Sequence, residues 1–66
     1  MNITVNGQPR AVDPATTLHS LISGEIGGGR GGAAAVDGAV VPRSLWPETS
    51  LHDGSVVEIV TAVQGG

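Results

Sequence analysis

The sequence predicts a small α+β fold, in which one short helix lies across one face of a mixed sheet of four to five strands. Three observations predict it. Short strand-like segments stand on both sides of a single helical segment, Asn-Gly or Asp-Gly separates neighbouring strands, and the last segment is the most apolar of all. Strands grouped around one helix in this way are typical of an α+β domain.

The first two strands are predicted to form a hairpin. The opening NITV alternates apolar and polar residues, which is the period of a half-buried strand. Asn6-Gly7 favours a type I′ turn, because both residues tolerate a positive φ. The chain should return antiparallel from Gln8 to Val12. Pro9 places this second strand at an edge of the sheet, since proline cannot donate a hydrogen bond to a neighbouring strand.

The segment DPATTLHSLISG predicts the helix. Its apolar residues are spaced i, i+3 and i+4 and form one face that must pack on the sheet. These residues are Leu18, Leu21 and Ile22. Thr16 or Thr17 should cap the start of the helix through its hydroxyl, and Gly24 should end it in the left-handed conformation.

A glycine-rich stretch follows the helix. Gly27–Gly32 holds five of the eleven glycines and is expected to form a flexible loop. A phosphate-binding loop would need a strand before it and a helix after it. Here a helix precedes the stretch and a strand follows, so phosphate binding is not expected.

The second half of the chain predicts three more strands. AAAVDGAVVPR gives two short strands around Asp37-Gly38, and Pro42 ends the second of them. VVEIVTAV, after a turn at Asp53-Gly54, is rich in residues that favour strands. Such a run suits a central strand that is buried on much of both faces.

The stretch SLWPETSLHDGS, between these strands, is expected to be irregular. Its apolar residues Leu45, Trp46 and Leu51 are available to plug the open side of the fold. Trp46, the one aromatic residue of the chain, is expected to be a half-buried core plug, with an interface anchor as the alternative.

Parallel pairing of the first and last strands at the centre of the sheet leaves the strand of Pro9 at an edge. The helix then crosses one face in a right-handed connection. This arrangement is a β-grasp, the ubiquitin-like roll. We expect a single β-grasp domain over residues 1–66, in which residues 64–66 form a flexible C-terminal Gly-Gly tail.

The composition of the chain argues against several classes of function. The chain has 66 residues, no cysteine, no lysine and a net charge of −3. Nucleic-acid binding needs clustered cations, so this charge argues against it and favours a basic partner surface instead. No apolar run approaches the roughly 20 residues that span a bilayer, and the N-terminus lacks signal-peptide features. We therefore expect a cytoplasmic protein that does not bind membranes.

Four motifs together carry a family resemblance: VNG near the start, TTLHSLI on the helix, VDGAVVPRSLW in the middle and DGSVVEIVTAVQGG at the end. With these motifs, the chain resembles the ThiS family of sulfur carriers in thiamin thiazole biosynthesis. The resemblance covers nearly the whole chain except Gly27–Gly32. The chain departs from the family pattern at Asp37, where Asn is usual, and at Ser55, where Asp is common. The small residues of AAAV suggest a lightly packed core on that side.

The resemblance implies a function for the tail. The carboxylate of Gly66 would be adenylated with ATP and converted to a thiocarboxylate. Gly65 and Gly66 would thread into a narrow channel of the partner enzyme, because they have no side chains. The partners implied are a ThiF-type adenylyltransferase, a ThiG-type thiazole synthase and a sulfur donor. The chain itself would be a protein co-substrate and not an enzyme, with no catalytic residue, no metal and no bound cofactor.

Alternatives stay open at the level of the sequence. The same fold could carry sulfur for molybdopterin, cysteine or tRNA thiolation, or it could be a ubiquitin-like binding module or a covalent modifier. Arg43 could be a solvated residue or a partner contact. Glu58 should point to solvent or meet an arginine of a partner. His19 should be solvated, and the sequence identifies no partner for His52. Docking is expected on the exposed sheet face near the last strand.

Overall fold

The computed structural model describes residues 1–26 and 32–60. The described part contains five strands, one α-helix and one 3₁₀ helix. In chain order they are β1 (Asn2–Val5), β2 (Gln8–Ala11), α1 (Leu18–Ile26), β3 (Ala33–Val36), β4 (Ala39–Val41), the 3₁₀ helix (Arg43–Glu48) and β5 (Val56–Val60).

The sheet has the order β2-β1-β5-β3-β4. Strands β1 and β5 are parallel at its centre, and the other neighbours are antiparallel. The predicted central pairing and the edge position of β2 are therefore confirmed. This topology, with one helix across one face, is the predicted β-grasp.

The core lies between α1 and one face of the sheet. Strands β1 and β5 contribute alternate residues, α1 contributes its apolar face, and the segment after β4 closes one side. The buried apolar residues of the whole core are Ile3, Val5, Leu18, Leu21, Ile22, Ala34, Trp46, Leu51, Val57 and Ile59. The predicted helix face is thus confirmed, because all three of its residues belong to this core. Close packing of these aliphatic side chains holds the helix, which is too short to persist alone.

Helix α1 begins as predicted but ends later than predicted. Thr17 caps it: its Oγ1 accepts the Ser20 N–H, and the Ser20 Oγ accepts the Thr17 N–H. The prediction that Gly24 ends the helix is wrong, since α1 continues to Ile26 and Gly24 has no positive φ. A glycine ends a helix only where the chain needs the left-handed conformation. Inside a helix it is tolerated at about 1 kcal/mol relative to alanine.

The edge strand β2 shows why proline fits there. The Thr4 N–H donates to the Ser55 carbonyl, so the backbone of Thr4 faces away from β2. Pro9 is the register partner of Thr4, and its nitrogen therefore points outward from the sheet, because bonding directions alternate along an antiparallel pair. No ladder hydrogen bond is lost, and the outer edge offers one donor fewer to another chain.

The prediction that β5 is buried on much of both faces is wrong. Its residues alternate exposed and buried, beginning with exposed Val56 and ending with exposed Val60. Helix α1 covers one face of the sheet, and no described element covers the other face. An apolar run was therefore a sign of a central position in the sheet, and not of two buried faces.

The stretch after β4 is more regular than predicted. It forms the 3₁₀ helix, with Pro42 at its start, and that helix packs against α1. Trp46 is buried, and its indole Nε1 donates to the Val41 carbonyl at 2.9 Å. The core-plug prediction is confirmed for Trp46 and Leu51, but not for Leu45, which is exposed. In a 3₁₀ helix adjacent residues point in different directions, so Trp46 can be buried while its neighbour is not.

Candidate docking site at the end of the central strand

The end of β5 is the described part of the chain that precedes the predicted reactive tail. Val60, the last described residue, pairs with Ala33 at the start of β3. Gly65 and Gly66, the predicted tail residues, lie outside the described residues, as does Gly27–Gly32 apart from Gly32 itself. Both of these segments join the described chain next to the Ala33–Val60 pair. The geometry around that pair is therefore the described part of the site.

The open face of the sheet beside this end is apolar with one charge. Val56, Val60 and Val40 are 45%, 65% and 75% exposed. Glu58 lies between Val56 and Val60 on β5, and across the sheet it is in register with Ala35, which is in register with Val40. Exposed apolar side chains grouped on one face of the sheet make this face a candidate docking surface.

The turn between β1 and β2 contacts this end of β5. The Asn6 N–H donates to the Val57 carbonyl at 2.9 Å. The Ile59 N–H donates to the side-chain oxygen Oδ1 of Asn6 at 2.8 Å. Asn6 is thus bonded to β5 through its backbone and its side chain. The side-chain bond is to Ile59, the residue before Val60. The sequence indicated the turn but gave no sign of this second role.

A second group of contacts lies at the start of β5. The Asp37 N–H donates to the Val56 carbonyl, and the Val56 N–H donates to Asp37 Oδ1. The other carboxylate oxygen of Asp37 is 3.6 Å from His52 Nε2. His52 Nδ1 is 3.0 Å from the hydroxyl of Ser55, which also accepts the His52 N–H.

Asp37, His52 and Ser55 are the residue types of a hydrolytic triad. In this arrangement, however, a substrate cannot reach the serine. Ser55 is 0% exposed, so its hydroxyl cannot reach a substrate. The group therefore fastens the turn before β5 to the turn between β3 and β4. Sequence reasoning assigned no partner to His52, because its contacts come from residues 3 and 15 positions away. Asp37 and Ser55 both contact this one ring.

The remaining candidate residues lie on the surface or in the core. Arg43 places its guanidinium 5.5 Å from the centre of the Trp46 ring, which is a cation–π distance. His19 is exposed on α1, as predicted. Glu58 is exposed, which confirms that it points to solvent.

A shallow groove between β2 and α1 is lined by Arg10, Asp13, Thr16 and Ser20, among others. Arg10 pairs with Ile3, nearer the start of β1 than the Asn6 turn. Because β1 and β5 are parallel, Arg10 and this part of the groove lie toward the start of β5. Within residues 1–26 and 32–60, no helix combines the length and the apolar character needed to cross a membrane.

Comparison with known proteins places this chain in one class, the small β-grasp proteins of thiamine biosynthesis. The model of the ThiS family matches residues 3–66. The chain belongs to the ThiS family.

Solved structures agree. A crystal structure of the thiamine biosynthesis protein ThiS from Geobacter metallireducens is 32% identical, with a TM-score of 0.81 and full coverage of both chains. A solution structure of a thiamine biosynthesis protein from the same organism is also 32% identical, with a TM-score of 0.78, and the match covers 100% of this chain and 88% of that one. None of the curated proteins compared with this chain matches it.

Proposed function

We propose that this chain is a sulfur carrier whose Gly66 carboxylate is adenylated, converted to a thiocarboxylate and used to donate sulfur for thiazole formation in thiamin biosynthesis. It acts in the cytoplasm as a protein co-substrate. The observation that carries the proposal is the family match, which runs from residue 3 through the Gly-Gly pair to residue 66. Full coverage of both chains in the comparison with the Geobacter protein supports it.

The proposed chemistry follows from the low reactivity of a carboxylate. A carboxylate is ionised at neutral pH and carries no leaving group. One of its oxygens attacks the α-phosphorus of ATP, and pyrophosphate leaves. The resulting acyl-adenylate is then attacked at its carbonyl carbon by hydrosulfide, which loses its proton to solvent. AMP leaves with one of the original carboxylate oxygens, and a thiocarboxylate remains on Gly66.

The absence of side chains at Gly65 and Gly66 suits this chemistry. An adenylating enzyme must enclose the reacting carboxylate to keep water from the acyl-adenylate. Glycine allows the tail to pass through a narrow channel and to adopt backbone angles that a Cβ would obstruct. Partner enzymes, a ThiF-type adenylyltransferase and a ThiG-type thiazole synthase, supply the catalytic groups.

The open face of the sheet is the proposed docking surface for these partners. It is continuous with the strand from which the tail extends, and it carries the exposed valines Val40, Val56 and Val60. Glu58 stands between two of them, in a chain whose net charge is −3. A partner surface with an apolar centre and an arginine opposite Glu58 would complement it, since opposite charges guide association and fix the register.

The test is the intact mass of the protein after incubation with a ThiF-type adenylyltransferase, ATP and sulfide. The expected result is exchange of one oxygen for one sulfur in the wild-type chain and no exchange after deletion of Gly66. Omission of ATP is the matched control, because the exchange requires the adenylate. Addition of a ThiG-type synthase and its small substrates should then consume the thiocarboxylate and form the thiazole.

Each alternative gives a different result. No mass change with an enzyme that modifies its own carrier would contradict the proposal and favour a binding module. Exchange of sulfur without thiazole formation would retain the carrier chemistry but assign another pathway. Adducts on lysines of other proteins would indicate a covalent modifier.

A further inference from the structure

The two central strands do not end together. Strand β1 ends at Val5, which is in register with Val57, whereas β5 continues to Val60. The N–H of Ile59 points toward β1, but the chain of β1 has already turned away at Asn6-Gly7. In a longer β1, a backbone carbonyl would accept this N–H. Here the side-chain oxygen of Asn6 accepts it at 2.8 Å.

Asn6 combines two properties at this position. Its φ is +51°, in the left-handed region that the turn requires. Asn and Asp are the residues other than glycine that adopt this conformation most readily. Glycine would also form the turn, but it would leave the Ile59 N–H without its acceptor. The side chain of Asn6 thus adds one hydrogen bond and extends the bonding of β1 along β5 from Val57 to Ile59.

We propose that Asn6 is a positioning residue for the reactive tail. This inference rests on the proposed function of Gly66. The bond to the Ile59 N–H holds the end of β5 on the side of β1, while pairing with β3 holds the other side. Without that bond this end of the strand should open more often, and it is the end that the tail follows in the chain. The partner enzyme would then have to order that end when it captures the tail, which weakens productive binding.

The Asp37 turn provides an internal control. Asp37 has the same φ of +51°, and its Oδ1 also accepts a backbone N–H of β5. That N–H belongs to Val56, at the start of the strand and away from the tail. Asn6→Gly and Asp37→Gly therefore remove similar bonds at opposite ends of one strand. Only the first removes a bond next to the tail.

The experiment compares Asn6→Gly, Asn6→Asp and Asp37→Gly with the wild-type chain. Thiocarboxylate formation is followed by mass over a range of carrier concentrations, with the ThiF-type enzyme, ATP and sulfide. Asn6→Gly should raise the KM for the carrier about fivefold, the effect of losing one hydrogen bond, with little change in kcat. Asn6→Asp keeps an acceptor oxygen and should restore most of the loss.

Two further measurements separate positioning from folding. Thermal unfolding should show similar losses of stability for Asn6→Gly and Asp37→Gly, while Asp37→Gly should leave the KM within about twofold of wild type. Hydrogen exchange of the Ile59 amide should be faster in Asn6→Gly alone. Equal KM values for the two glycine variants, or no rescue by Asn6→Asp, would overturn the role of Asn6. A wild-type chain that forms no thiocarboxylate with a competent enzyme would instead overturn the proposed function, and this inference with it.

Discussion

The two hairpin turns of the sheet are built alike and lie on opposite sides of the same strand. Asn6-Gly7 has φ angles of 51° and 81°, and Asp37-Gly38 has φ angles of 51° and 87°. In each turn the first residue bonds β5 through its N–H and through a side-chain oxygen. One turn holds the start of β5 and the other holds its end.

The difference between the turns is in what surrounds the side chain. Asp37 also faces His52, which in turn contacts the buried Ser55, so the start of β5 is held by several linked groups. Asn6 bonds β5 through its N–H and its side-chain oxygen, and no second ring of linked side chains surrounds it among the described residues. The same local sequence signal therefore gives a strand start with several linked contacts, and a strand end that Asn6 holds on one side and β3 on the other. The turn with fewer side-chain contacts lies next to the segment that carries the proposed reactive tail.

The largest loss of stability is expected when the glycine at the second position of each turn is replaced. Gly7→Ala and Gly38→Ala should each lower the free energy of unfolding by about 1–2 kcal/mol, because each glycine has a positive φ that disfavours a Cβ. No heavy atom lies within 4 Å of a Cβ built at either position, so the loss is conformational and should be alike in the two turns. Urea unfolding measures both. A difference above about 0.5 kcal/mol would show that the two turns are not equivalent.

A smaller loss of stability is expected when the additional contacts that hold the Asp37 turn are removed. Ser55→Ala removes the acceptor of the His52 N–H and the hydroxyl beside His52 Nδ1. The expected loss is about 1 kcal/mol, which is typical of one hydrogen bond. Ser44→Ala, an exposed position in the 3₁₀ helix, is the matched control. Thermal unfolding that gave equal values for the two variants would contradict the anchoring role of Ser55.

The smallest loss of stability is expected when Asp37 is replaced by Asn, the residue type found in the other turn. Asp37→Asn keeps the oxygen that accepts the Val56 N–H but loses the charge facing His52. The side chains of His52 and Asp37 are 69% and 46% exposed, so the electrostatic contact between them contributes less than about 0.5 kcal/mol. High salt should remove that difference, because it screens exposed charges. A loss above about 1 kcal/mol that persists in high salt would show that the carboxylate has a further structural role.

Local signals predicted most of the architecture. The Xaa-Gly dipeptides marked both hairpin turns, Pro9 marked an edge strand, and the spacing of Leu18, Leu21 and Ile22 marked the buried face of α1. These predictions succeeded because each depends on a few neighbouring residues. Gly24 misled for the same reason: a local preference for ending a helix did not decide the helix end, and α1 continues to Ile26.

Other features depended on residues far apart in the chain. The bond between Asn6 and Ile59 joins positions 53 residues apart, and the bond between Asp37 and Val56 joins positions 19 apart. Neither position carries a local sign of its partner, since an Asn-Gly or Asp-Gly turn is favoured whether or not its side chain has a further acceptor role. The partial exposure of β5 likewise depended on which face α1 covers.

The sequence by itself determined the fold, the order of the elements and the family, because strand periodicity, turn chemistry and the terminal motif are properties of short segments. Tertiary structure alone decided how β5 is held. Parallel pairing brings Asn6 beside Ile59, and antiparallel pairing brings Asp37 beside Val56 and His52. Hydrogen bonds act over about 3 Å, so such contacts exist only once the sheet has aligned residues that the chain keeps far apart.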